Sequence, residues 1–175
     1  MIDDYHKDFY KHSEKFLKQL PKGVFITAKD KTGRVNTMTV AWGHIGVIWG
    51  RPVFIAYVRY SRFTYDVLLG AQDYTINVPA YGTLNKALGI AGTKSGRDID
   101  KFKEAGLTLK PANKVKTPII AECELQYECK MIYRQTQEPA LINEAITERY
   151  YPDHDTHVMF FGEIVDSYLT EGRET

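Results

Sequence analysis

The sequence predicts a mainly β domain, an antiparallel barrel with helices inserted between its strands. Strand-like segments outnumber helical ones, and glycines Gly43 and Gly46 interrupt a long strand pattern. The strict alternation of strand and helix that builds a parallel sheet is absent. The 175-residue chain has no internal repeat and no linker rich in Pro, Gly or Ser. We therefore expect one domain over residues 1–175.

Composition and charge narrow the classes of function. Hydrophobic residues make up 43% of the chain and charged residues 26%, as in ordinary globular proteins. The 23 basic residues are balanced by 22 acidic ones. A protein that binds nucleic acid or a membrane surface through a basic face has a cationic excess, so we expect neither partner. Aromatic residues make up 13%, which suits both β-structure and binding of flat ligands.

The first residues and the cysteines bear on the compartment. The amino-terminal residues lack the basic start and apolar run of a signal peptide, and no segment is long and apolar enough to span a bilayer. Cys123 and Cys129 lie on one face of an alternating segment, 122–133, with Glu122, Glu124 and Glu128 on the other face. Six residues of strand separate the thiols by about 20 Å, too far for a disulfide. We expect two buried thiols and a cytoplasmic location.

Helices are predicted where apolar side chains recur at helical spacing or where capping residues frame a segment. Pro21 ends the first helix, Ser61 is the expected N-cap of the second, and Gly70 is its expected C-terminal stop. The predicted helices cover residues 5–20, 61–69, 83–90 and 99–105, with a helical insert within 139–150.

Strands are predicted where aromatic and β-branched residues run between turn residues such as those at 30–33. Polar and small residues from Asn36 to Gly43 leave backbone groups open to a flat, polar-edged ligand; the alternative is an edge strand with threonines facing solvent. The predicted strands cover residues 23–29, 34–48, 52–58, 73–79, 107–110, 119–133 and 157–169.

Two segments are candidates for binding an anion. Residues 59–66 place two arginines and two hydroxyl side chains at a strand end and a helix start, where free N–H groups attract phosphate. The alternative is a capped helix with solvated arginines. The loop from Gly92 to Asp98 is either a second anion-binding site or a plain turn. It has neither the phosphate-loop nor the dinucleotide-binding glycine pattern.

The histidines give weaker signals. His154 and His157 lie near two aspartates, but a loop and a strand start do not fix a metal-binding geometry, so we expect no metal site. The sequence also has no nucleophile elbow and no cysteine placed as a nucleophile, which gives no support to covalent hydrolase chemistry.

Taken in order, the motifs resemble the flavin reductase-like, FMN-binding split-barrel family, especially its flavoredoxin-type members. The resemblance extends from about residue 20 to about residue 166 and depends on the order and spacing of the motifs together. The motifs are Pro21-Lys-Gly-Val-Phe-Ile-Thr27, Asn36-x-Met-Thr-x-x-Trp-Gly43, Arg59-x-Ser-Arg-Phe-Thr64, Tyr74-Thr-Ile-Asn-Val-Pro79, Ser95-Gly-Arg-Asp98 with Asp100-Lys-Phe102, Glu122-Cys123 with Glu128-Cys-Lys130, and His157-Val-Met-Phe-Phe-Gly-Glu163.

The resemblance implies a six-stranded antiparallel split barrel of Greek-key type with inserted helices, and a homodimer with FMN in a groove near the dimer interface. It also implies site residues. The isoalloxazine ring would lie, mostly against backbone groups, along Asn36, Thr37, Met38, Thr39, Val40 and Ala41. The phosphate would be held by Arg59, Ser61, Arg62 and Thr64, and the pocket would be completed, from either subunit, by Asn77, Ser95 and Gly96. His157 would shape the approach of a nicotinamide.

The implied activity is that of an FMN-dependent oxidoreductase, with NAD(P)H giving a hydride to the flavin and electrons passing to an acceptor. Nicotinamide-dependent members often carry Gly-Asp-His, whereas this chain keeps only the histidine in Asp155-Thr156-His157. The alternative is a flavoredoxin-type FMN electron carrier with a protein redox partner and no nicotinamide site. A barrel that binds single-stranded nucleic acid would need a positive groove, which the charge balance does not favour.

Overall fold

The computed structural model describes residues 9–170. Its main feature is a seven-stranded, fully antiparallel sheet, and a separate two-stranded ribbon lies beside it. The strands are β1 (Val24–Asp30), β2 (Val35–Val40), β3 (Gly43–Ile48), β4 (Arg51–Arg59), β5 (Ala71–Val78), β6 (Leu109–Lys110), β7 (Ile119–Ile120), β8 (Leu125–Thr136) and β9 (His157–Leu169). The helices are α1 (Ser13–Gln19), α2 (Phe63–Gly70), α3 (Asn85–Thr93), α4 (Lys101–Ala105) and α5 (Glu144–Tyr150), with 3₁₀ turns at Leu20–Lys22 and Pro139–Leu141.

The strand order, β2-β1-β5-β8-β9-β4-β3, leaves β2 and β3 at the two ends of the sheet. Only Ala41 and Trp42 separate these strands in the chain, so the two ends of the sheet meet at this point. No ladder joins β2 to β3 in the described range, and the seam between them stays open. The sheet therefore curls back on itself, and the mainly β, antiparallel prediction is confirmed.

The predicted six-strand count is wrong, because the main sheet has seven strands. The predicted 34–48 strand breaks at Ala41–Trp42 into β2 and β3, which serve opposite ends of the sheet. The predicted 119–133 strand also breaks, since the Cys123 N–H donates to Ile120 O (3.2 Å) in a turn before β8. The last predicted strand, 157–169, matches β9.

The helices differ from the prediction mainly at their starts. Helix α2 begins at Phe63, after Arg62, and Ser61 does not cap it because its hydroxyl bonds Asp155. The predicted first helix lies partly outside the described residues; its described part, α1, begins at Ser13 after turns. No helix in residues 9–170 combines the length and the hydropathy needed to cross a membrane.

The core also corrects the predicted acidic face of β8. Glu128 is fully buried because the chain at 113–115 covers this face, and the N–H groups of Asn113 and Lys114 donate to its carboxylate at 2.7 and 2.6 Å. Both cysteines are free and buried, as predicted. Burial raises the pKa of both thiols, so they are uncharged at neutral pH.

Candidate functional site

Two adjoining cavities lie beside the end of the sheet that β2 forms. They share Met38 and Arg62 as lining residues, so they meet at these two side chains. We name the first the polar chamber; its polar lining consists of Ser61, Arg62, Thr64, Thr93, Lys94, Ser95, Arg97 and Lys101. We name the second the aromatic chamber; it is lined by Met38, Thr39, Val40, Ala41, Trp42, Tyr57, Arg59, Arg62 and His157.

Strand β2 forms one wall of the aromatic chamber with its unpaired edge. β2 pairs with β1 on one side only. On an edge strand, alternate N–H and C=O groups point away from the sheet and are open to a ligand. Met38 and Val40 are buried, while Ala41 is exposed at the chamber mouth. The Thr39 hydroxyl donates to Leu88 O (2.7 Å) and fixes helix α3 against this strand.

The polar chamber gathers four cations, and among residues 9–170 only two of them have a carboxylate partner. Lys94 pairs with Glu104 at 3.1 Å, and Arg97 pairs with Asp66 at 2.6 Å. Arg62 instead donates to Gly92 O (3.2 Å), a neutral carbonyl. This leaves positive charge inside a concave site, which favours an anionic ligand.

Lys101 is the second cation without a carboxylate partner in the described part of the chain, and it is buried, with only 5% of its surface exposed. Its ammonium group donates to Ala91 O at 2.8 Å. Burial, with a smaller effect from Arg62, lowers the pKa of Lys101 to about 8. Asp100 caps helix α4 by accepting from Phe102 N and Lys103 N, and so sets where Lys101 enters the chamber. A buried cation that faces a cavity is an anion-binding group.

The buried residues Thr64 and Asn36 lie beside the polar chamber and are close to the partly buried Gly96. Asn36 Nδ2 donates to Thr64 Oγ1 (2.8 Å). A Cβ at Gly96 would collide with Asn36 Oδ1 and lie 2.7 Å from Phe63 Cδ1, so this position needs glycine. The predicted residues Asn36, Thr64 and Gly96 are thus brought together, and they hold the start of helix α2, whose first N–H groups lack intrahelical partners.

Arg59 and Ser61, both predicted phosphate ligands, use their polar groups on another segment. The Arg59 guanidinium donates to Asp155 O (2.7 Å) and Tyr150 O (2.8 Å), and it lines the aromatic chamber. The Ser61 hydroxyl donates to Asp155 Oδ2 (2.6 Å), although Ser61 also lines the polar chamber. Arg62 and Thr64 remain directed to the polar chamber.

The remaining predicted residues take structural positions. Asn77 is fully buried; its Oδ1 accepts from Ile120 N (2.7 Å) and its Nδ2 donates to Thr27 and Thr75 hydroxyls, so it is a core residue and lines neither chamber. The Thr37 hydroxyl is also buried and donates to Ile26 O (3.0 Å). Ser95 lines the polar chamber, where its Oγ accepts from Arg97 N.

His157 lies at the centre of the aromatic chamber wall. Its ring is 4.8 Å from that of Trp42, and its Nδ1 lies 2.8 Å from the Tyr151 hydroxyl. Only 7% of the residue is exposed. Burial, followed by the charge of Arg59, lowers the pKa of His157 to about 4. At neutral pH the imidazole is therefore uncharged, and it can orient a ligand without adding a positive charge.

The pKa of His157 makes folding stability depend on pH. The folded protein protonates His157 near pH 4, whereas the unfolded chain does so near 6.5. The stabilising effect of the neutral ring is therefore complete above about pH 6.5 and is lost as the pH falls towards 4, by up to about 3 kcal/mol. Urea titrations from pH 7 to pH 4 should show this loss, and His157→Gln should reduce it. The exposed His44 supplies the control: His44→Gln should keep the full loss, and an unchanged slope in His157→Gln would contradict the assignment.

No group of three or more His, Cys, Asp or Glu side chains with metal-binding proximity occurs between residues 9 and 170. His154, which the sequence placed near His157, is exposed in a turn. The site therefore consists of cations, hydroxyl groups, an edge strand and aromatic rings.

A family model described as a flavin reductase like domain matches residues 17–175. The chain belongs to the flavin reductase-like family. Among family relatives, an uncharacterised protein of Archaeoglobus fulgidus is 30% identical over 97 residues, which cover 55% of this chain and 54% of that protein. The chain thus spans about half the length of this relative.

Solved structures agree with the family assignment. Flavoredoxin of Desulfovibrio vulgaris (Miyazaki F) superposes with a TM-score of 0.66 at 26% identity, over 85% of this chain and 69% of that one. Flavoredoxin from Methanosarcina acetivorans gives a TM-score of 0.64 at 26% identity, over 85% of this chain and 68% of that one. The predicted family is confirmed. Within this family fold, Lys101 and the partners of Arg59 are the features that sequence reasoning missed; the Asp100-Lys-Phe102 motif held the only signal for Lys101.

Proposed function

We propose that this chain binds FMN across the two chambers and acts as a flavin-dependent oxidoreductase. The observation that carries the proposal is the buried Lys101, which has no carboxylate partner in the described residues and faces a cavity that continues into an aromatic chamber along an edge strand. FMN has the matching features: a dianionic phosphate at one end and a flat, polar-edged ring at the other.

The polar chamber would hold the phosphate. Arg62 and Lys101 supply charge-assisted donors, and Thr64 with the free N–H groups at the start of helix α2 supplies neutral donors. A helix terminus alone contributes about 0.3–1 kcal/mol, whereas micromolar affinity requires about 8 kcal/mol. Ring burial beside Trp42 and Tyr57, with polar contacts to the edge of β2, must supply much of the remainder.

FMN, when bound, would supply the hydride and electron transfer. The chain's own residues would bind and orient it and limit access of water. The neutral His157 beside Trp42 shapes the space next to the ring. We propose this space as the approach for NAD(P)H. The second candidate is a flavoredoxin-type electron carrier with a protein redox partner, which the likeness to two flavoredoxins favours.

We also propose a homodimer. Strand β3 ends the sheet with an unpaired edge. Beside it, Val47 (51% exposed) and Trp49 (62%) form an apolar surface with Tyr133 (43%), whose ring lies 5.8 Å from Trp49. An exposed edge strand with large apolar side chains favours pairing with another copy. Light scattering should give twice the chain mass, and Trp49→Glu should lower it; a monomeric wild type would contradict the proposal.

The absorbance spectrum tests the function. Purified protein that is soaked in FMN and then desalted should keep flavin absorption. Desalted protein without flavin absorption would contradict the proposal. Anaerobic addition of NADH or NADPH should then bleach the bound flavin within the mixing time if the oxidoreductase candidate is correct. Retained colour with both nucleotides, but bleaching by dithionite, would favour the electron carrier.

FMN affinity should also depend on pH through Lys101. The charged ammonium binds phosphate, and the pKa of Lys101 is about 8 in the free chain. We expect the dissociation constant of FMN to rise above pH 8, by up to about tenfold per pH unit, because binding must then take up a proton. Fluorescence titrations from pH 7 to 9.5 measure this. Lys101→Arg should flatten the profile; a parallel rise in that variant would assign the pH effect to another group.

A further inference from the structure

The structure assigns Asp155 as a positioning residue: it fastens the insert at residues 137–156 to the turn between β4 and α2, and so sets the wall of the aromatic chamber. We name the three residues involved, Arg59, Ser61 and Asp155, the clasp. The consequence for ligands rests on the proposed function, whereas the clasp itself is a property of the chain alone.

The clasp is a dense set of contacts between segments about ninety residues apart in the chain. Both carboxylate oxygens of Asp155 are used by Ser61: the hydroxyl donates to Oδ2 at 2.6 Å and the backbone N–H lies 3.2 Å from Oδ1. Arg59 donates to Asp155 O and also to Tyr150 O. Its guanidinium lies 5.0 Å above the Tyr151 ring. The turn therefore contacts the insert at three residues, Tyr150, Tyr151 and Asp155.

The insert needs this anchor because its own helices bury nothing. Neither the 3₁₀ turn Pro139–Leu141 nor helix α5 has a buried residue, and Leu141 is 85% exposed. A helix of seven residues is unstable alone in water. At the other end, Gln137 is tied to His157 by two bonds, His157 N to Gln137 Oε1 (2.9 Å) and Gln137 N to His157 O (3.1 Å). The clasp fixes the return of the chain between these points.

The clasp positions the aromatic wall, which consists of Tyr150 and Tyr151 where they pack against Trp42 and His157 of the aromatic chamber. Tyr150 packs edge-on against Trp42 at 5.2 Å, and Tyr151, buried by the clasp, lies 5.5 Å from the ring of His157. Without the Asp155 carboxylate, the insert would lose both bonds to Ser61 and keep only those from Arg59, so Tyr150 would be held less firmly against Trp42. The polar chamber would keep Arg62 and Lys101. The clasp should therefore control what stacks beside Trp42, with little effect on phosphate binding.

The test uses the full-length chain without added flavin, carrying Trp49→Phe so that Trp42 is the one remaining tryptophan. We expect Asp155→Ala to raise the acrylamide quenching constant of Trp42 at least twofold. Ser61→Ala should give a smaller rise, because its backbone N–H still bonds Asp155 Oδ1, and the double variant should give no more than Asp155→Ala, which removes both bonds. Asp153→Ala is the matched control: it removes a neighbouring exposed carboxylate and should leave quenching unchanged.

Unchanged quenching in both Asp155→Ala and Ser61→Ala, with wild-type circular dichroism, would overturn the clasp, as would an equal rise in Asp153→Ala. Titration with FMN then separates the two proposals. Asp155→Ala should weaken the binding of FMN and of riboflavin, which lacks the phosphate, by the same factor, and a loss confined to FMN would show that Asp155 supports the phosphate instead of the wall. Failure of the wild type to bind FMN would contradict the proposed function but leave the quenching result intact.

Discussion

Lys101→Met should weaken FMN binding about 100-fold, which corresponds to about 2.7 kcal/mol. The change removes a buried ammonium that faces the polar chamber and replaces it with an unbranched apolar side chain of similar length. A hydrogen bond to a charged partner contributes about 1.5–3 kcal/mol, and the absence of a carboxylate competitor keeps this contribution available to phosphate. Quenching of FMN fluorescence on titration with protein measures the effect.

Two controls make this result specific. Riboflavin lacks the phosphate, so its weaker binding should change less than threefold in Lys101→Met. Lys94→Met removes another lysine of the same chamber, but one whose charge is already paired with Glu104, and it should cost FMN binding less than tenfold. The folding stability of Lys101→Met should be unchanged or higher, because a desolvated cation is removed. An equal loss for riboflavin, or a loss of stability, would give Lys101 a structural role.

Gly162→Ala should lower the free energy of unfolding by about 3 kcal/mol. A Cβ at this position in β9 would lie 2.6 Å from Tyr74 Cζ and 2.7 Å from Cys129 Cβ. Tyr74 is fully buried, and its hydroxyl donates to Phe54 O at 2.7 Å, so it cannot move aside without losing that bond. For a chain of this size, about 3 kcal/mol lowers Tm by about 6–12 °C.

Gly46→Ala is the matched control for this substitution. Gly46 also lies within a strand, β3, but a Cβ there would have no atom within 4 Å. We expect a change of less than about 0.5 kcal/mol. Thermal unfolding followed by circular dichroism measures both variants. Similar shifts would mean that loss of glycine itself, and not the contact with Tyr74, decides stability.

The sequence predicts strands well where the pattern is local and less well where tertiary contacts decide. Strand β9 is predicted from its run of aromatic and β-branched residues, and its bounds are confirmed. The break at Ala41–Trp42 is not visible in the pattern, because residues on both sides are strand-like; only the sheet order shows that β2 and β3 belong to opposite ends. Glu128 misleads for the same reason, since the loop that buries it lies elsewhere in the chain.

The candidate site is likewise predicted where the pattern is local and missed where a residue distant in the sequence decides. The motif from Arg59 to Thr64 correctly marks the strand end and helix start beside the polar chamber. Which of its residues are free for a ligand depends on Asp155, which is 94 residues from Ser61, and no local pattern reports such a distant partner. The sequence does not predict the burial of Lys101, because a lysine in a short helix normally faces solvent. Its burial depends on how α4 packs.

The place of β9 in the sheet has a consequence for how the protein is made. β9 is the last strand in the described residues, yet it pairs with β8 on one side and β4 on the other. Until it leaves the ribosome, the earlier strands of the main sheet can form only two separate pieces, one of four strands (β2, β1, β5 and β8) and one hairpin of β3 and β4. β9 also brings His157, at its first residue. Translation therefore has to reach β9 before the two pieces join and before the aromatic chamber is complete.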